Sequence, residues 1–353
     1  MLAETELRLA VAPGDLERLV IGVPAGAGSV AANLLSAEYY DTPRLDLFRR
    51  GMLLRIRRDG KGWMQGVIGD VAAAAGPHRR IESESRVSKN VPDLARITDR
   101  DLAAPMRQAV GRARLKPVFR IEIAHRRRVV SPEPGTTIDM RFDRGILSAG
   151  ERRATICEIG LKLEHGPAWR LFQLALELEQ QARVCVEQQS IVERGYALAG
   201  GGRARPAKAK PSAVAEPMTA IEAFVAISFG CLDHLNANRD GTLAGSDVEY
   251  LHQMRVGLRR LRSAFSVFSR LLPRPATDPP LAEIRWLSRA LGTARDWDVF
   301  TAATLDPVLA QFPGHRGLIA MQRACERRRG VAQRASRRAV ASRRYQRLLL
   351  GMG

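Results

Sequence analysis

The sequence predicts two folded parts of different class. The first is an α+β N-terminal domain built on an antiparallel β sheet or barrel with flanking helices, and the second is an all-α C-terminal bundle. Three observations carry this. Segments before residue 200 alternate polar and apolar residues with period 2. Segments after residue 215 repeat with the helical period. Between them runs Gly200-Gly201-Gly202-Arg203-Ala204-Arg205-Pro206-Ala207-Lys208-Ala209-Lys210-Pro211, whose composition suits a linker. The expected boundaries are therefore 1–199, a linker over 200–215, and a bundle over 216–353. At 353 residues the chain can bury two cores.

The strands are read in order. Residues 4–9 place Glu4, Glu6 and Arg8 on one face, and residues 53–58 do the same for Arg55 and Arg57. Residues 80–86 align Arg80, Glu82, Glu84 and Arg86, and 119–123 align Arg120 with Glu122. Residues 138–143 align Asp139, Arg141 and Asp143; residues 157–163 set Glu158, Gly160 and Lys162 opposite an apolar row. Helices are expected at about 13–22, 30–36, 100–110 and 168–182. A solvated sheet face explains such charges blandly. Mixed signs on neighbouring strands instead suit the lining of a closed barrel, where Arg grips phosphate and carboxylates hold a divalent ion.

Composition narrows the partner. Lys+Arg number 56 against 37 Asp+Glu, a net charge of +19, so the chain should seek a polyanion. Residues 1–200 hold 31 basic and 25 acidic side chains (+6), and residues 201–353 hold 25 and 12 (+13). Aromatics at 5% argue against base-stacking platforms. No run approaches 18 apolar residues and no secretory leader is visible at Met1, so no membrane partner is expected. The four cysteines, Cys157, Cys185, Cys231 and Cys325, show neither a CxxC pair nor a disulfide spacing, which fits a reducing cytoplasm.

Specific strings now point further. Glu4-Thr5-Glu6-Leu7-Arg8, Tyr39-Tyr40-Asp41-Thr42-Pro43, Arg49 through Arg58, Cys157-Glu158-Ile159 and Glu193-Arg194-Gly195-Tyr196 together resemble the CYTH domain, the triphosphate tunnel metalloenzymes. The resemblance covers the whole first domain. It implies an eight-stranded antiparallel tunnel, catalytic and metal-ligating Glu4, Glu6 and Glu158, and a Mg²⁺ or Mn²⁺ cofactor. It also implies a phosphate path lined by Arg8, Arg55, Arg57, Glu82, Glu84 and Arg120. The family pattern is broken in places. Arg8 stands for a Lys, Ile68 for a Lys, Gly160 and Lys162 for the second and third Glu of the late strand, and Ile191 for the Lys after Ser190. These changes predict weakened hydrolysis.

In the second part, Leu251, Met254, Leu258, Leu261 and Phe265 form one stripe, while His252, Arg255, Arg259 and Arg262 stand at i, i+3, i+7 and i+10. At 100° per residue those four fall within an arc of about 80°. A solvated basic face is the bland alternative, but solvated helices normally mix signs. His252 through Ser263, Leu291 through Phe300, and Ser342-Arg343-Arg344-Tyr345-Gln346 resemble the CHAD domain. That resemblance implies inorganic polyphosphate binding through His252, Arg255, Arg259 and Arg262. The 138 residues from 216 suffice for one of the two bundles the family pattern contains. Asp296 and Asp298 are read as partners of arginines. Gly314–Gly353, with 11 Arg and one Glu, is read blandly as a solvated or partly disordered basic helix and more sharply as an extension of the anion surface. His78, His125, His165, His234 and His315 lack metal-ligand spacing and are read as structural or surface residues.

The expectation is a cytoplasmic protein, at polyphosphate granules, binding inorganic triphosphate or polyphosphate with weakened metal-dependent hydrolysis. The alternatives are a fully active inorganic triphosphatase and, ranked last, a non-catalytic nucleic-acid binder acting through its Arg-rich tail.

Overall fold

The computed structural model describes residues 6–22, 30–60, 62–71, 79–200, 205–212 and 214–353. In chain order the elements are β1 (Glu6–Val11), α1 (Pro13–Gly22), β2 (Val30–Asp41), α2 (Asp46–Arg49), β3 (Leu53–Arg58), β4 (Trp63–Val71), β5 (Arg79–Val87), α3 (Arg100–Val110), β6 (Lys116–Val130), β7 (Thr137–Ala149) and β8 (Arg152–His165). Then follow α4 (Trp169–Gln181), β9 (Val184–Val186), α5 (Ile191–Leu198), α6 (Ala220–Ala237), α7 (Arg239–Ala244), α8 (Val248–Val267), α9 (Arg274–Phe300), α10 (Asp306–Gln311), α11 (Arg316–Val340) and α12 (Arg343–Leu350). Among the described residues no helix is long and apolar enough to cross a membrane.

The chain divides into two compact units, residues 1–166 with 189–203, and residues 167–188 with 204–353. The first is α+β. Its eight strands run antiparallel in the order β5-β4-β3-β2-β6-β7-β8-β1. The antiparallel strands and the flanking helices at 13–22 and 100–110 agree with the sequence reading, but the sheet counts nine strands, with β9 as the ninth, where the resemblance implied eight. Residues 30–36 do not: they begin the twelve-residue strand β2. Ala and Leu favour a helix there, but β2 pairs with both β3 and β6, and ladder formation on two sides outweighs local propensity.

Two helices set the architecture around the sheet. The first turn of α2 is capped at a distance by Asp41, a fully buried carboxylate that accepts from the backbone N–H of Thr42, Leu47 and Phe48 at 2.7–3.0 Å. This stacks Phe48 on Tyr196 of α5, with ring centroids 4.0 Å apart. Ser190 and Glu193 form a capping box that starts α5, and Gly195 lets the helix lie against Phe119, where a Cβ would come within 2.4 Å of the ring. The Tyr-Tyr-Asp-Thr-Pro and Glu-Arg-Gly-Tyr strings are thus in large part packing devices.

The second unit is helical. Its core joins Leu235 of α6, Met254, Leu258 and Leu261 of α8, Leu287 and Leu291 of α9, Val340 of α11 and Tyr345 of α12. The expected 1–199 span includes α4 and β9, which pack with this unit instead: buried Glu179 of α4 accepts from Arg343 and Arg347 of α12, and Val186 N–H donates to the Gln346 side chain at 2.9 Å. Among the described residues, 205–212 carry no helix or strand, as expected of a linker. That stretch is nevertheless tied down, since buried Asn238 accepts from Ala207 N–H and donates to Ala207 C=O, and Arg260 donates to Lys210 C=O. The tail is α11 and α12 rather than a solvated or partly disordered helix, because Ala332, Ser336, Val340, Tyr345 and Leu348 are buried. Cys157, Cys231 and Cys325 are buried free thiols and Cys185 is partly buried.

Candidate functional site

Residues paired across a sheet point to the same face, so register sorts the charged side chains. One rung reads Arg127, Arg141, Gly160, Arg8 across β6, β7, β8 and β1. The rungs on either side read Asp139, Lys162, Glu6 and Asp143, Glu158, Ala10. Along β6 the same face carries Phe119, which pairs with Tyr39 of β2, which pairs with Arg55 of β3. Glu82 and Glu84 of β5 follow through Ile68 and Gly66 of β4. The structure therefore brings Glu6, Arg8, Arg55, Arg57, Glu82, Glu84 and Glu158 to one face.

Two predicted residues are not among them. Glu4 lies outside the described residues. Arg120 is on the opposite face: it pairs with Glu38, which pairs with Ile56 rather than Arg55, and it bridges Glu122 at 3.0 Å. Period-2 alternation within a strand cannot say which face is shared with another strand.

The face is laced with ion pairs. Arg55 donates to Glu82 at 2.5 Å and Arg57 to Glu84 at 2.8 Å. Hydrogen bonds from Arg57 hold the Glu84 carboxyl below its usual range against the opposing effect of burial. Glu6 is bonded by Arg141, and Glu158, 4% exposed, by Arg194 of α5. Burial pushes the Glu158 carboxyl up, Arg194 opposes it, and Asp143 adds repulsion. His125 Nδ1 lies 2.5 Å from Asp143. Arg141 and Arg194 went unselected in the sequence reading. Their signals were the period-2 alignment of Asp139, Arg141 and Asp143 and the charged centre of Glu193-Arg194-Gly195-Tyr196.

Does this face fit a divalent ion? Among the described residues no three His, Cys, Asp or Glu side chains gather to hold a metal. Glu6 and Glu158 are each matched to a guanidinium, and the position between them is Gly160. The buried side-chain nitrogens left without an acceptor here, Arg55 Nε and Arg141 Nε, are donors. Orphaned donors call for an anion. Glu4 lies outside the described residues, so of the predicted metal set only Glu6 and Glu158 are described, each matched to a guanidinium.

The helical unit carries a second site. The apolar stripe is buried, with Leu251, Met254, Leu258, Leu261 and Phe265 all at most 6% exposed. Beside it, His252, Arg255, Arg259 and Arg262 line a groove of about 1090 Å³ between α8 and α9. All four predicted residues are together. From α9 come Arg285, Arg289 and Arg295, with Asp296 as the one acid of the lining. Gly292 makes room for the Arg255 guanidinium, which a Cβ would meet at 2.8 Å. Sequence reasoning missed Arg285 and Arg289, although their i, i+4 spacing continues through Gly292 to Asp296 on one helix face. Asp298 is buried and accepts from Arg329 at 2.8 Å and Gln333 at 2.9 Å, an orienting role as expected, whereas Asp296 is exposed in the groove. Of the single histidines, buried His234 meets Gln253 at 3.0 Å and His315 accepts from Leu318 N–H at the start of α11, while His165 is exposed at the end of β8. His78 lies outside the described residues.

Comparison with known proteins decides the family. The CYTH domain matches residues 2–196. The chain belongs to the CYTH family. A CHAD domain follows over residues 226–353. The CYTH chain is 28% identical over 204 residues to the inorganic triphosphatase of Haemophilus influenzae, covering 56% of this chain and 55% of that protein. It therefore spans about half the length of that curated relative. The CHAD domain structure from the plant Ricinus communis is 37% identical with a TM-score of 0.36, covering 41% of this chain and 48% of that one. A proposed adenylate cyclase of Bacillus halodurans is 20% identical with a TM-score of 0.37, covering 54% of this chain and 96% of that one.

Proposed function

We propose that this protein binds inorganic triphosphate and polyphosphate, with the CYTH face holding short chains and the CHAD groove holding long ones, and that its hydrolysis of triphosphate is weak. The observation that carries the reading is the α8–α9 groove, where six arginines and His252 face one acidic side chain. Arg guanidinium groups meet phosphate oxygens with paired, parallel donors, and a row of them along two helices matches a linear polyanion better than a compact one. The 28% identical inorganic triphosphatase supports a triphosphate ligand for the first unit. Weak hydrolysis follows from Gly160 and Lys162, which remove carboxylates from the wall where a metal would be needed.

The test uses the full-length chain. It should bind long-chain polyphosphate more tightly than duplex DNA at matched phosphate concentration. Changing Arg255, Arg259 and Arg262 to Ala should weaken binding and flatten its dependence on log salt by about one unit for each lost phosphate contact. Equal affinity for DNA and polyphosphate would leave only generic basicity. A phosphate-release assay with tripolyphosphate, ATP and thiamine triphosphate, in Mg²⁺, Mn²⁺ or EDTA, should give rates near background. Turnover of tripolyphosphate at an ordinary enzyme rate of ~10 s⁻¹ would overturn the weak-hydrolysis part.

A further inference from the structure

The wall formed by β7, β8 and β1 is built as a cation site for an anion, not as an anion site for a cation. At its centre Gly160 carries no side chain, and a Cβ there would lie 3.3 Å from Glu6 Oε1 and 3.6 Å from Arg141 Nε. The Glu6 carboxylate and the Arg141 guanidinium therefore meet over the glycine. Gly160 is flanked in register by Arg141 on β7 and Arg8 on β1, and the next rung places Lys162 between Asp139 and Glu6. Drawing Glu6 or Glu158 onto a metal ion would strip a guanidinium of its carboxylate, which is costly in a partly buried setting. The buried Nε donors of Arg141 and Arg55 have no acceptor among the described residues, and a phosphate oxygen would supply one.

We propose that the charged face of the first unit captures oligophosphate, linear chains of a few phosphoanhydride-linked phosphates, without a divalent metal, with the Arg141 guanidinium as the fixed cation at the centre of the wall. This rests on the reading that the first unit binds triphosphate. A guanidinium is always charged at neutral pH and offers a planar fork of donors, so it can neutralise and orient phosphate oxygens with no bound ion. Free Mg²⁺ complexes oligophosphate in solution. It should then compete with the face instead of assisting it.

Isothermal titration of tripolyphosphate tests this on the full-length chain carrying Arg255→Ala, Arg259→Ala and Arg262→Ala, so that heat reports the first unit. Binding in EDTA should saturate and be at least as tight as in excess Mg²⁺. Arg141→Gln should weaken it by about 10- to 100-fold, the usual effect of losing one charged hydrogen bond. Arg141→Lys should recover only part of that loss, since a point charge lacks the fork. Arg107→Gln on α3, which removes the same charge at an exposed position away from the sheet, should leave affinity unchanged. If Arg141→Gln does not fold, Gly160→Glu places a carboxylate between Arg141 and Arg8 and should abolish binding in EDTA. Retained EDTA affinity in that variant would overturn the inference. Binding that appears only with Mg²⁺ or Mn²⁺ would overturn it too, while leaving the triphosphate reading intact. No binding under any condition would overturn both.

Discussion

Replacing Glu179 by glutamine should destabilise the helical unit by about 2–3 kcal/mol, from the loss of hydrogen bonds to charged groups worth about 1.5–3 kcal/mol each. The side chain is 1% exposed, with one carboxylate oxygen on Arg343 Nε and the other on Arg347 Nε at 2.7 Å. Glutamine keeps one acceptor and turns an N–H₂ toward a guanidinium. Both arginines are about half exposed, so their charges return to water, which keeps the cost below that of a fully buried broken pair. At about 2–4 °C per kcal/mol for a unit of this size, its melting transition should fall by roughly 5–10 °C. Burial pushes the Glu179 carboxyl up, but the bonds from Arg343 and Arg347 outweigh it and hold it below its usual range. Its contribution is therefore present above the unfolded glutamate value of about 4.3 and is lost as pH falls through the lower folded one. The gap between wild type and Glu179→Gln should close toward pH 3. Near-UV circular dichroism on the full-length chain reads this, with the helical transition identified as the one that long-chain polyphosphate raises. An unchanged transition at pH 7, or a gap that persists at low pH, would show that α4 is not clamped to α12 through this carboxylate.

Other outcomes follow from single contacts. Burial raises the Glu158 carboxyl, so by linkage the first unit should lose stability as pH rises through that titration, and Arg194→Met should move the midpoint higher still; carbon-13 carboxyl shifts give both. Asn238→Ala removes both side-chain bonds to Ala207 and leaves a peptide without its partners, so trypsin should cut after Lys208 severalfold faster than in wild type. Gly195→Ala puts a methyl within 2.4 Å of the Phe119 ring, and overpacking of about 1–3 kcal/mol or more should lower the melting temperature of the first unit without altering polyphosphate affinity. Gly292→Ala meets only the end of the Arg255 side chain at 2.8 Å, so it should fold normally and weaken long-chain polyphosphate binding by displacing that guanidinium.

What could be read in the chain beforehand was whatever depends on period alone. The α8 face is the clearest case, because helical spacing fixes which residues share a stripe; all four basic residues and all five apolar ones fall where 100° per residue puts them. Strands carry less information. Alternation sorted Arg55 with Arg57 correctly, but the face of Arg120 depends on how β6 pairs with β2, and register is a property of two strands. The same limit hid α4. Its amphipathic pattern marks a helix over 169–181, yet nothing local says that Glu179 meets two arginines more than 160 residues later.

Gly160 shows why such tertiary information matters for the chemistry. Read along β8, a glycine between Glu158 and Lys162 is a missing ligand and nothing more. Read across the sheet, it is the space in which Glu6 and Arg141 meet, with Arg8 on the other side. A carboxylate deleted from one strand and a guanidinium presented by the next change the sign of what the wall attracts. Loss of a metal ligand alone would predict a tunnel that binds its ligand poorly. On the proposed reading, loss of that ligand beside the Arg141 guanidinium gives a face that binds the phosphate chain and leaves its anhydride bonds intact, because a fixed guanidinium can neutralise phosphate oxygens but cannot generate a metal-bound hydroxide.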